Sequence, residues 1–95
     1  MAKAIESKIV KDKIMSGSPR IAGTRIRVRD VVEKYIVMEE SPAVIAREFS
    51  VSISDVHEAL SYYYGNMEEI QEEVRKDREF VDKFRKEMKH EILSR

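Results

Sequence analysis

Residues 42–60, PAVIAREFSVSISDVHEAL, constrain this chain more than any other stretch. Ile45, Ala46 and Phe49 fall on one helical face, Val51 follows a break, and Ser52 is placed to cap a second helix. Val56, Ala59, Leu60 and Tyr63 then recur at i, i+3, i+4 and i+7, the stripe of a helix with one buried side. Two short helices joined by so tight a turn must cross steeply. That is helix-turn-helix geometry, and it lets the second helix project into a DNA groove.

The residues before this pair read as a short β arm. Ile9 with Val10 and Ile14 with Met15 are apolar pairs separated by charge, and Gly17, Ser18 and Pro19 signal a turn. Ile21 and Ala22 predict a brief strand, turned back by Gly23 and Thr24. Ile26 and Val28 alternate with Arg25, Arg27 and Arg29, the period of a half-buried strand. Asp30 is expected to cap helix one, residues 31–38, which is apolar on more than one side and so buried or at an interface.

Ser41 and Pro42 open helix two, which runs to Phe49. Ser50 and Val51 form the turn. Helix three starts at Ser52, with Asp55 in capping-box position, and stops near Tyr64 at Gly65. Asn66 is expected to cap a last helix, free of Gly and Pro, that can run to Arg95. At about 1.5 Å per residue it would reach roughly 40 Å, longer than a compact domain of this size. The fold class is mainly α: a short N-terminal β arm and a three-helix bundle in residues 1–65, and a long amphipathic helix in residues 66–95.

Composition narrows the function classes. With 42% apolar and 38% charged residues among 95, the core is modest. The lack of Cys removes disulfides and thiolate metal sites and fits a cytoplasmic location. No apolar run exceeds four residues, as at 35–38, so neither a membrane-spanning helix nor a secretory signal is expected. The zero net charge hides an asymmetry. Residues 1–38 carry nine Lys/Arg against four Asp/Glu, a net of +5, and residues 39–95 carry nine against fourteen, a net of −5. The basic part suits phosphates and the acidic part a basic protein; a solvated surface that divides unevenly is the plain alternative.

Residues 17–70 resemble a prokaryotic family, domain-of-unknown-function family 433. The resemblance is carried by Gly17, Pro19, Ile21 and the run Gly23-Thr24-Arg25-Ile26-x-Val28. It continues through Ser41, Ile45, Ala46 and Phe49, then Asp55, Val56, Ala59, Leu60, Tyr62, Tyr63 and Asn66. That family is similar to homeodomain-like three-helix proteins with a short β segment, and its members often look like antitoxins encoded beside a PIN-like nuclease. The resemblance therefore implies a transcriptional regulator and toxin neutraliser. Glu40 stands where Gly commonly precedes the Ser, and Ser50 replaces a Tyr-Pro or Gly turn. A left-handed non-Gly residue costs about 1 kcal/mol, so the turn is expected to survive.

Three surfaces are candidates for function. On helix three, Ser54, His57 and Ser61 lie outside the stripe and can bond bases or phosphates. Yet no Arg or Lys stands between residues 48 and 74, and Asp55 and Glu58 repel phosphate. A bundle that binds no DNA is the alternative. In the arm, Arg25, Arg27 and Arg29 are expected on one strand face near Arg20 and Lys34; two such strands in a dimer would form a ribbon for a major groove. The alternatives are a solvated strand face and a structural role for Arg25 at the turn. In the last helix, Met67, Ile70, Val74, Val81, Phe84 and Met88 follow a/d spacing, with Phe80 and Ile92 beside the seam. Asp77 and Glu91 interrupt the seam at d-like positions. Packing on its own domain can bury Met67 to Val74; for Phe80, Phe84 and Met88 docking on a partner is the first choice, with pairing to a second copy as the alternative.

The expected function is an antitoxin-like regulator. It dimerises, binds its own operator and neutralises a PIN-like nuclease toxin through its C-terminal helix. The other reading is a protein–protein assembly module that never touches DNA. The expectation of a homodimer rests on the alternation of Ile26 and Val28, which asks for a partner strand. No catalytic residue is expected: His57 and His90 lie on different helices, and no nucleophile stands at recognisable spacing. Neither a metal site nor a cofactor is expected.

Overall fold

A computed structural model describes residues 8–93, with side chains through Lys89; readings that rest on the side chains of His90, Glu91 and Ile92, or on Arg95 and residues 1–7, lie outside what it describes. A two-residue antiparallel pair, β1 (Ile9–Val10) and β2 (Arg20–Ile21), sets Ile9 opposite Ile21. Between them Lys13–Met15 form a 3₁₀ turn rather than a strand. The Asp12 carboxylate accepts from the Ile14 N–H at 3.0 Å and closes this turn locally, so Ile14 and Met15 never extend.

The strand expected at Ile26 and Val28 does not form. Arg27 makes one bridge to Arg20, and the chain turns into α1 (Val28–Val32) at once. The cause is Asp30, whose carboxylate accepts the Arg27 N–H at 3.0 Å, the Glu/Gln half of a capping box. Arg27 has no acceptor to return, so the other half is missing. Asp30 is therefore the third helical residue, not the cap. Val28 is fully buried inside its own domain, which removes the call for a partner strand.

α1 continues as a π turn, Glu33–Val37, in which the Met38 N–H bonds the Glu33 carbonyl at 3.1 Å. The wider turn rotates the end of the apolar run away from the core. Val31 is buried, while Ile36, Val37 and Met38 are exposed. Glu39 then adopts φ 55°, and the left-handed residue is this one rather than Glu40.

α2 (Pro42–Phe49) and α3 (Ile53–Gly65) match the sequence reading closely. The Ser41 hydroxyl accepts from Val44 N–H at 3.3 Å and Pro42 takes the first helical position. Ser50 closes α2 in the left-handed region at φ 56°, ψ 43°. Ser52 and Asp55 form the reciprocal capping box, at 2.9 and 3.4 Å. Gly65 is different: it stays helical, and the break falls on Asn66 at φ −143°. The Asn66 carboxamide donates to the Tyr62 carbonyl at 3.0 Å, so its side chain caps the end of α3 instead of the start of the next helix.

α4 (Met67–Leu93) is 27 residues long. The core joins Ile9, Ile21, Val28, Val31, Ile45, Ala46, Val56, Ala59, Leu60 and Tyr63 to one buried residue of α4 among those described, Ile70. The rest of α4 extends past this core, and the molecule measures 68 × 27 × 22 Å. Its radius of gyration is 16.6 Å, against about 12 Å for a compact domain of this length. No helix among the described residues is long and apolar enough to cross a membrane.

Candidate functional site

The arm's arginines do not share a face. Arg20 is buried and grips Asp12 with both ends of its fork, Nε to Oδ1 at 3.3 Å and Nη2 to Oδ2 at 2.6 Å, and donates Nη1 to the Thr24 carbonyl at 3.0 Å. The guanidinium holds the Asp12 carboxyl below its usual range. Thr24 adds its own bonds: its hydroxyl donates to the Ile21 carbonyl at 2.8 Å and accepts from the Ile26 N–H at 3.0 Å. Arg20 thus performs the structural turn role considered for Arg25, and Arg25 is exposed.

Arg27 is held by both Asp30 oxygens, at 3.1 and 3.0 Å. Arg29 turns the other way, because it lies in the first turn of α1 rather than on a strand. Its Nη1 reaches Glu73 at 3.4 Å and bonds Asp77, both on α4. Ser18 Oγ donates to the same Glu73 carboxylate at 2.5 Å. Lys34 is paired with Glu48 at 2.6 Å and Glu40 at 3.7 Å, and Glu48 chiefly raises its pKa. Of these cations Arg25 alone has no bond or ion partner among the described residues. The sequence assigns Glu73 to the helix dipole and Asp77 to a break in the seam and pairs neither with Arg29, since nothing local to positions 73 and 77 marks a partner 44 and 48 residues earlier.

On α3, Ser54, His57 and Ser61 are all exposed and fall within one face of the helix. Asp55 is half-buried beside Lys8 at 3.5 Å, and Glu58 flanks His57. This face carries polar atoms but no cation. Next to it, Tyr62 donates its hydroxyl to Glu69 at 2.8 Å; burial, then this carboxylate, pushes its pKa up to about 12.

The seam of α4 divides sharply. Ile70 is 2% exposed and Val74 is half-buried, whereas Val81, Phe84 and Met88 on the same face are 42%, 53% and 45% exposed. Phe80, beside the seam, and Met67, at the helix start, are exposed too. The domain therefore covers the seam only as far as Val74. Lys83, Arg85, Lys86 and Lys89 flank the uncovered part, with Asp82 and Glu87 the acids among them.

A groove of about 420 Å³ runs between the π turn and α4. Val32, Val37, Ile70 and Val74 line it, with Glu33 on one wall and Arg75 and Arg78 on the other. Arg75 is engaged by Glu72 and Glu79. The sequence signal for this groove was the apolar run at 35–38; which of its residues face outward was set by the π turn. No cluster of three or more potential metal-ligating side chains occurs among the described residues.

The architecture defines a small, mainly helical protein: a helix-turn-helix-like bundle, a short antiparallel strand pair and a long C-terminal helix. Residues 9–63 match the family model described as Protein of unknown function (DUF433), and the chain belongs to that family. No curated protein and no solved structure matches it significantly.

Proposed function

We propose that the protein is an antitoxin-like DNA-binding regulator that dimerises, binds its own operator and neutralises a PIN-like nuclease through α4. One observation carries this reading: the apolar seam of Val81, Phe84 and Met88 stays exposed on a helix that has left its own domain. Exposed large apolar side chains at helical spacing, ringed by Lys and Arg, suit the groove of an acidic protein. Phe84 and Met88 would anchor the helix, and the basic flank would compete with cations and substrate in the nuclease groove. The DNA half rests on the family resemblance and on the α2–turn–α3 pair, with Arg25, Ser54, His57 and Ser61 as contacts.

The test uses the full chain. Phe84→Asp with Met88→Asp should abolish inhibition of the nuclease encoded beside it and leave operator binding unchanged. Retained inhibition removes α4 from the reading. Operator binding, measured at two salt concentrations, should exceed binding to unrelated DNA and weaken as salt rises.

The second reading, an assembly module that binds no DNA, is favoured by a specific observation. Arg20, Arg27 and Arg29 are all consumed by internal carboxylates, and the outer face of α3 carries no cation. Operator DNA bound no more tightly than unrelated DNA would establish that reading instead.

A further inference from the structure

We propose that the groove between the π turn and α4 seats a second copy of this chain, with Val37 of each protomer entering the groove of the other about a two-fold axis. This supplies a surface for the dimer that the proposed regulator needs, and it rests on that reading only in expecting a dimer.

A two-fold interface must be complementary to itself: one patch has to carry both knob and hole, and both signs of charge. This patch does. The knob is Val37, 73% exposed and flanked by the exposed Ile36 and Met38. The hole is the groove floor of Val32, Ile70 and Val74, on which Val37 itself forms the rim. The charges stand on opposite walls, Glu33 on the π turn and Arg78 on α4. Neither side chain has an ion partner among the described residues, whereas Arg29 and Arg75, which line the same groove, are paired with acids of the protein's own chain. In the proposed head-to-tail pair, Val37 of each protomer rests on the apolar floor of the other and Glu33 of each faces Arg78 of the other. An unrelated apolar ligand would use the groove but leave that pair of charges unexplained.

The surface also accounts for the π turn. Closing α1 as a regular helix would rotate Ile36 to Met38 by part of a turn, and the knob would lose its place at the groove rim. The seam at Phe84 and Met88 lies farther along α4 and stays available to another protein.

Sedimentation velocity of the full chain over a concentration series tests this. The wild type should show a reversible dimer. Val37→Asp, at a site that contributes nothing to the core, should raise the dimer dissociation constant by about tenfold or more with the helical circular dichroism unchanged. Glu33→Arg and Arg78→Glu should each weaken the dimer, and the two together should restore it. Phe84→Asp should leave it intact. A wild type monomeric at all concentrations, a dimer indifferent to Val37→Asp, a charge swap that restores nothing, or a dimer lost in Phe84→Asp would each overturn the proposal. The dimer and the operator are read separately: a dimer without operator preference removes the regulator and keeps the interface, and a monomer that binds operator does the reverse.

Discussion

Arg29, in the first turn of α1, donates to Glu73, in the second turn of α4, across 44 positions of sequence and 3.4 Å of space. With Asp77 bonded to the same guanidinium and Ser18 to the same carboxylate, this contact fixes where α4 leaves the domain. Arg29 and Glu73 are 17% and 21% exposed, so solvent screens them only in part. Arg29→Ala should cost about 1–2 kcal/mol in urea unfolding. It should also speed amide exchange through the first turns of α4 more than in α3.

Ser50 offers a gain in stability. Its left-handed conformation at φ 56° strains a residue with a Cβ, and the site is exposed. Ser50→Gly should stabilise the protein by about 0.5–1 kcal/mol. For a domain of this size each kcal/mol raises Tm by about 4–8 °C. Thermal unfolding of the two proteins side by side gives the answer, and a lower Tm for the glycine would refute the turn assignment.

Tyr62 makes stability fall at high pH. Its hydroxyl, partly buried and bonded to Glu69, loses its proton only near pH 12, whereas in the unfolded chain it does so near 10. The folded value is raised, so the contribution is complete below about pH 10 and is lost as pH climbs toward 12. Because lysines titrate in the same window, the readout is the difference between wild type and Tyr62→Phe. The variant should lose less stability across that window, and its ultraviolet titration should lack the late tyrosinate step.

The core and the outer face of the same helix pair can be separated with two isoleucines. Ile45 of α2 is fully buried, and Ile53 at the start of α3 is 49% exposed. Ile45→Val should cost about 0.5–1.5 kcal/mol and Ile45→Ala about 2–5 kcal/mol. Ile53→Val should stay within about 0.5 kcal/mol of the wild type. Urea midpoints measure both.

Residues 41–63 were legible because their signals are local. Ser41, Pro42, Ser52 and Asp55 cap within three or four positions, and the apolar stripe needs no distant partner to be read. The arm was harder. Its alternation at residues 25–29 predicts a strand, but the Asp30 carboxylate starts a helix three residues early, at Val28 instead of Val31, and that competition is decided by one hydrogen bond. The roles of the arginines were illegible for another reason: Arg20 and Arg29 find their acids at Asp12 and at Glu73 and Asp77, pairings that exist only after the chain has folded. On α4 the periodicity placed the seam, and the split between covered and uncovered residues followed from where the small domain ends.

The handover from α3 to α4 through one non-helical residue, Asn66, makes the long helix a lever. Over 27 residues, at about 1.5 Å each, a tilt of about 10° at the junction swings the tip through roughly 7 Å. At Glu73, roughly 9 Å along the helix, the same tilt needs about 1.6 Å of slack in the Arg29 and Ser18 contacts, which the lever magnifies about fourfold at the tip. Where Phe84 and Met88 can reach is decided at the base of the lever, by residues that a partner gripping the tip never touches.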